Sequence, residues 1–340
     1  MKKRKRILRW ALVIVLVVAG FIAWQFFGPA VKVSDPGSQY LYISTGASAG
    51  DVSRELKDKK FLGQTLWFDQ AARLLGYRTI RPGRYKMESG MSVVNLVRML
   101  KNGSQSPVNF VITKIRTRED LAGRIGRSFE CDSQQVIRFL TSPDSLKKYD
   151  LDTNTVMAAA MPYTYTIRWN TTPGKIFQQF YTSYKTFWTD ERKQKAARLG
   201  LSPAEVSTLA SIIDEETNAA SDRPNIASVY LNRIATGMPL QADPTVKFAL
   251  KNFGLRRVLN VHLQTPSPYN TYQNKGLPPG PICTPQTVTI DAVLDAPKTE
   301  YLYFVASTAF DGTHIFTTNY EDHVRYARLY QQELNKRNVK

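Results

Sequence analysis

The sequence predicts an α+β protein: a single N-terminal transmembrane helix, a small strand-helix-helix-strand subdomain and a larger mixed α+β domain. Three observations carry that prediction. An apolar run of about twenty residues stands close to the N-terminus, long enough to span a bilayer as a helix. A compact alternation of extended and helical patterns follows it, up to about residue 105. Beyond that, long helical patterns with clear start and stop signals alternate with dense turns and a few short extended runs.

The apolar run is ILRWALVIVLVVAGFIAWQFF, Ile7 to Phe27, interrupted only by Arg9 and Gln25. A cleaved signal peptide usually has an apolar region of only ~7–15 residues followed by a small-x-small site. Gly28-Pro29-Ala30 matches such a site poorly, so residues 7–28 are expected to be an uncleaved anchor. The basic tail at 1–6 favours a cytoplasmic N-terminus and an extracytoplasmic location for everything from about residue 30 onward. Trp10, Trp24, Phe26 and Phe27 suit the two interfaces.

In the subdomain at 38–105, YLYIS reads as a strand, 50–61 and 64–75 as helices parted by Gly63, and 83–87 as a second strand set up by Arg81-Pro82-Gly83. A further helix over 92–100 carries Val93, Leu96, Val97 and Leu100 at helical spacing and stops at Gly103. The segment 106–170 opens with the extended run PVNFVITKI and contains a helix started by Thr117-Arg118-Glu119-Asp120, a connecting α+β piece. The last domain, 171–340, begins with one long aromatic-rich helix from Pro173 to about Leu199, ended by Gly200. A helix over about 224–236 stops at Gly237, and a strand at Ile315-Phe316 precedes a final helix.

The net charge of +18 is partly the N-terminal tail, but the remainder stays basic without a concentrated arm. For an exported domain that balance points to acidic envelope polymers or lipid headgroups and away from nucleic acid. Cys131 and Cys283 are too few for a disulfide framework, and the sequence leaves open whether they pair. His262, His314 and His323 lack compact metal-ligand spacing, and neither a Gly-rich phosphate loop nor a cysteine nucleophile signature is present, so no metal or other cofactor is expected.

The chemistry concentrates after residue 200. Ser202-Pro203-Ala204-Glu205 is a strong helix start, with Ser as cap and Glu closing the box. On the helix that follows, Val206, Leu209, Ile212, Ile213 and Glu216 fall on one stripe, so Glu216 continues an apolar face while Asp214 points roughly 200° away. An unpaired carboxylate on such a face has a raised pKa, which suits a general acid, above all one that protonates a glycosidic oxygen. The spacing alone fits equally a buried ion pair with Arg223 or Arg233. Turns rich in hydroxyl, amide and aromatic groups follow, Leu240 to Val246, Ser267 to Tyr272 and Gly276 to Pro281, of the kind that lines a sugar cleft. Asp243, before Pro244 and Thr245, most simply caps the helix that begins there.

The motifs ASIIDEET at 210–217, Asn232-Arg233, GMPLQADPTV at 237–246, SPYNTY at 267–272, GLPPGPI at 276–282 and DGTH at 311–314 together resemble the YceG-like family, and His323 in the last helix fits it too. The resemblance covers at least 200–330, and one membrane span followed by a LysM-like subdomain is what the family has before its catalytic domain. It implies a lytic transglycosylase of peptidoglycan, acting on nascent glycan strands at the bond between N-acetylmuramic acid and N-acetylglucosamine and leaving 1,6-anhydro ends. The catalytic acid of the family falls on Glu216; its preceding E-x-E glutamate is Asp214 here, a shorter carboxylate. A further departure is Pro162-Tyr163-Thr164-Tyr165, where the family more often has Asp or Asn second. Gln241, Ser267, Tyr269, Asn270 and Thr271 are the expected sugar-binding residues, with Asp214, Asn232, Asp243 and His314 in support. Peptidoglycan strands and the cytoplasmic membrane are the expected partners, with peptidoglycan synthases as neighbours. Two other readings stay open on the residues: a hydrolase of the same glycan using Asp214 or Asp243 as second carboxylate, and a silent glycan-binding scaffold.

Overall fold

A computed structural model describes residues 2–34, 37 and 39–337. The expected boundary at residue 38 lies outside the described residues. Helix α1 (Lys2–Phe27) is the one described helix long and apolar enough to cross a membrane, with a mean hydropathy of 2.4 over its most apolar window. Strand β1 (Tyr40–Ile43) is followed by α2 (Ala49–Asp58), α3 (Leu66–Leu74), β2 (Gly83–Lys86) and α4 (Val93–Asn102). Next come β3 (Val108–Val111), α5 (Arg118–Ser128), α6 (Ser133–Leu140), α7 (Pro143–Leu146), two short 3-10 turns and β4 (Thr164–Ile167), which pairs with β3. The remainder is α8 (Pro173–Phe187), α9 (Asp190–Arg198), α10 (Pro203–Glu216), α11 (Arg223–Ala235), α12 (Asp243–Ala249), α13 (Asn260–Leu263), α14 (Thr287–Leu294), β5 (Tyr303–Ala306), β6 (His314–Thr317) and α15 (Tyr320–Lys336). The chain is thus α+β, with helices dominant.

It divides into two compact units. The first comprises Met1–Asn109, Ser128–Cys131 and Thr166–Thr172. In it β1 and β2 pair antiparallel, Tyr40 opposite Lys86 and Ile43 opposite Gly83. Alternation turns Leu41 and Ile43 inward, where they meet Leu56, Phe68, Tyr85, Leu96 and Leu100 in one apolar core. Ser92 caps α4 by accepting from the Asn95 N–H, and Gly103 ends it at φ 68°. Gly83 stands at φ 152° with the Gln105 side chain where a Cβ would go, so only glycine fits there. Trp67 of α3 packs edge-on against Phe21 and Phe26 of α1.

The second unit comprises Phe110–Arg127, Asp132–Tyr165 and Pro173–Lys340, so most of the segment expected to connect lies within it. The single helix expected over 173–199 is two. Thr189 accepts from the Arg192 N–H and restarts the chain as α9, after Trp188 has turned inward to 2% exposure. The break lets a buried indole end α8, whose Phe177 and Phe180 pack on Tyr149 and Tyr165.

Helix α10 is the centre of this unit. Its capping box forms as expected, Ser202 with Glu205. The one-sided stripe does not hold: every residue from Val206 to Asp214 is buried, because α14, α11 and α12 cover the helix on different sides. Asp214 therefore does not face solvent. Its carboxylate accepts from the Gln286 N–H and the Thr289 hydroxyl, both at 2.6 Å, fastening α10 to the start of α14. Arg223 stands 3.8 Å from it. Ser211 extends the same seam by accepting from the Ile282 N–H.

Antiparallel β5 and β6, Tyr303 opposite Thr317 and Ala306 opposite His314, carry α15. The seam at Asp214 predicts that Asp214→Ala destabilises the fold by about 3 kcal/mol, because it strands a buried amide and a hydroxyl. Urea denaturation of the two proteins measures it; a loss below about 0.5 kcal/mol would contradict the role.

Candidate active site

Three carboxylates in a row end α10, and successive residues on a helix diverge by about 100°. Asp214 is used by α14. Glu215 turns to a cationic pair, with Arg116 bidentate at 3.1 and 2.9 Å and Lys114 at 3.3 Å. The Lys114 ammonium also donates to the Asp214 carbonyl at 2.7 Å, closing the helix end with a cation. Glu216 alone forms no ion pair among the described residues. Its Oε1 accepts from the Tyr230 hydroxyl of α11 at 2.9 Å, and the residue is half-buried.

That environment pushes the Glu216 pKa up to about 7. Desolvation is the main cause. The Tyr230 hydrogen bond opposes it, the Asp243 carboxylate adds to it, and Lys247 and Arg233 oppose it more weakly. The carbonyl end of a helix disfavours a negative charge as well. Burial and the adjoining carboxylates raise the Tyr230 and Tyr272 hydroxyls above the ordinary tyrosine range, so both remain proton donors at neutral pH.

Around Glu216 the second layer is tightly tied. Arg233 donates to the Leu302 and Leu240 carbonyls at 2.7 Å each. Tyr230 packs on Phe304, and Phe304 on His314. The Tyr272 hydroxyl donates to Asp243 Oδ1 at 2.7 Å. Asp243 does not cap its helix as expected: Ala242 holds the cap position, and the Asp243 side chain is exposed and engaged by Tyr272 instead.

The remaining expected residues separate into exposed or half-buried ones and buried ones that brace the turns. Gln241 is exposed, holds φ 51° and donates its N–H to the Thr271 carbonyl. Tyr269 packs at a tilt on Phe248, ring centroids 4.6 Å apart, and, with Ser267, lines a cavity of ≈ 180 Å³. Asn270 and Thr271 are buried instead. Asn270 donates to the Leu263 and Thr265 carbonyls and accepts from the Tyr272 N–H, while Thr271 Oγ1 accepts from the Ala242 N–H and meets Thr245. These two lock the turn that carries Tyr272 to the turn that carries Gln241. Asn232 donates to the Thr299 and Tyr301 carbonyls, a brace between α11 and the lead into β5. His314 is bound at Nδ1 to Asp222 at 2.9 Å.

Tyr230 and Lys247 were not among the sequence expectations, Tyr272 stood there only as the end of a turn, and Arg233 only as a candidate ion-pair partner. A signal existed for two of them: Ile226, Val229, Tyr230 and Arg233 fall at helical spacing on α11, a stripe holding a hydroxyl and a cation among apolar residues. Tyr272 closes the SPYNTY turn, but no spacing rule in the chain links it to Asp243. No group of three His, Cys, Asp or Glu among the described residues is placed to hold a metal.

The sequence profile of the YceG-like family matches residues 41–329. The chain belongs to the YceG-like family. It is 28% identical over 312 residues to a protein of Bacillus subtilis named endolytic murein transglycosylase, covering 87% of this chain and 86% of that one. A Streptococcus pneumoniae protein of the same name is 26% identical over 91% of this chain, which spans 62% of that relative's length. The crystal structure of a yceG-like protein from Listeria monocytogenes superposes with a TM-score of 0.58 at 28% identity, over 84% of this chain and 97% of that one.

The Glu216 geometry sets a pH dependence of stability. A carboxyl whose pKa rises from 4.5 to about 7 on folding favours the fold below pH 4.5, and that contribution is lost as pH climbs through 7. Glu216→Gln removes the titration. The variant should therefore gain on the wild type by up to about 3 kcal/mol between pH 4 and pH 8; parallel pH-stability curves in urea would contradict the shift.

Proposed function

We propose that this chain is a membrane-anchored endolytic transglycosylase of peptidoglycan, with α1 as the anchor and the domain that carries Glu216 on the extracytoplasmic side. The observation that carries the reading is one carboxylate without an ion pair, held by the Tyr230 hydroxyl and pushed up to about 7. At that pKa it holds a proton in a large share of molecules near neutrality and can give it or take it. The B. subtilis and S. pneumoniae relatives, whose names state murein transglycosylation, support the substrate class.

In the mechanism, Glu216 protonates the oxygen that links N-acetylmuramic acid to N-acetylglucosamine. The C1–O bond breaks and positive charge develops on the muramic ring. The carboxylate then takes the proton of that ring's C6 hydroxyl, and the freed oxygen closes on C1 as a 1,6-anhydro bridge. No water is consumed, so no second carboxylate is needed as base or nucleophile, unlike a hydrolase. Tyr230 fixes Oε1 and leaves Oε2 to the substrate. Asp243, held by Tyr272, supplies negative charge beside the developing cation, and Gln241 and Tyr269 contact the sugars.

Asp243 is also the observation that favours a second reading, since its carboxylate acts electrostatically on Glu216 and would serve as base for water in a hydrolase. The product ends separate the two. Mass spectrometry of fragments released from purified murein should show anhydro ends for the wild type, with the rate cut about 10³-fold or more in Glu216→Gln. Reducing ends would establish hydrolysis, and no products from folded wild-type protein would leave a binding scaffold.

Tyr230→Phe offers an independent check. The hydroxyl lowers the Glu216 pKa, so its loss moves the alkaline limb of the pH–rate profile upward while lowering the maximal rate. An unmoved limb, or one moved to lower pH, would contradict the role given to Tyr230.

A further inference from the structure

The ≈ 180 Å³ cavity beside Tyr269 does not contain Glu216. It is too small for a sugar pair and suited to one short charged group. Its walls include Arg116, Arg118, Asn154, Lys251, Ser267 and Tyr269. Arg116 is already neutralised by Glu215. Arg118 spends one amino group on the Thr153 carbonyl at 2.6 Å and keeps its other donors, and its charge acts on the Tyr269 hydroxyl across the cavity. Lys251 is exposed and forms no ion pair or hydrogen bond of its ammonium among the described residues. Two acids oppose these cations: Glu119, exposed at the rim, and Asp152, whose charge also acts on the Tyr269 hydroxyl but whose Oδ1 is engaged by the Asn154 and Thr155 N–H groups.

Two features of the backbone support a built recess. Lys251 follows α12 at φ 52°, where glycine is the ordinary residue, so a cation is kept at a conformational cost. Gly280 lies where any Cβ would run into the Asn154 carbonyl, which is why the 153–155 loop can close down on Pro281 to form the floor.

The cavity and the acid share two elements. Helix α12 has Asp243 and Lys247 acting on Glu216 and Phe248 and Ala249 on the cavity, its two ends, Asp243 and Ala249, lying about 9 Å apart along the axis. The turn at 267–272 has Tyr269 at the cavity and Tyr272 at Asp243. Three residues of extended peptide cover about 10 Å. A stem of that length on a muramic residue held at Glu216 is comparable to the separation of the two ends of α12.

We propose that this cavity is a subsite for a carboxylate of the substrate's peptide stem, so that the enzyme distinguishes stem-bearing from stem-free strands. The proposal rests on the reading of Glu216 as the site of glycan cleavage, and binding is the readout that tests it separately. Full-length Glu216→Gln protein in detergent is titrated with soluble murein strands carrying free-acid stems, with the same strands stripped by an amidase, and with strands whose stem carboxylates are converted to carboxamides. Free-acid strands should bind about tenfold tighter than the other two. Adding Arg118→Gln with Lys251→Asn should abolish that difference while leaving the affinity for stripped strands unchanged, and Lys251→Arg should preserve it. Equal binding of the three strand types, or a preference that survives the double variant, would overturn the proposal. Should Arg118→Gln fail to fold, Lys251→Asn alone at the surface must weaken free-acid strands selectively. Failure of the wild type to cut any strand would count against the catalytic reading, while the binding comparison still decides the subsite.

Discussion

Everything at this site depends on how three consecutive carboxylates are partnered at the end of one buried helix. Burying a negative charge is costly unless it is paired, and the fold pairs the first two completely. Asp214 takes an amide and a hydroxyl from the start of α14, and Glu215 takes two cations from the 114–116 segment. Those same contacts draw the helix end into place and hold the cations away from Glu216. The third carboxylate is left with one neutral donor, and a proton is the cheapest way to satisfy it.

The surrounding loops are built to keep that arrangement without touching it. Asn270 and Thr271 spend their polar atoms on backbone, and Thr245 joins them from α12. Their effect is to fix Tyr272 with Asp243 and the strained Gln241. Arg233 works in the same way from α11, binding two carbonyls and lending a partial counter-charge at a distance. Buried polar networks of this kind are rigid when every member is satisfied, which is what a positioned acid requires.

The sequence made much of this legible, and the reasons for the rest are specific. Caps and stops were readable because Ser202, Gly103 and Gly237 act locally on their own helices. Glu216 stood out because a charge continued an apolar stripe. Asp214 does point away from Glu216, but its burial was not legible because the helix is covered on several sides, and a stripe argument presumes a single buried face. The break at Trp188 was hidden because local propensity favours one helix and tertiary burial of the indole decides otherwise. Asp243 was read as a cap because its true partner, Tyr272, is 29 residues away. Asn270 and Thr271 had the right chemistry for sugars, but only the fold shows that their hydrogen-bonding capacity is spent internally.

The most direct test is to titrate Glu216 itself, by following the side-chain carboxyl carbon of selectively labelled glutamate in the folded protein and assigning it by its absence in Glu216→Gln. The account predicts a midpoint at about 7. A midpoint near 4.5, the ordinary value for a glutamate, would show that the carboxylate is adequately solvated or paired and would remove the physical basis for its role as a proton donor.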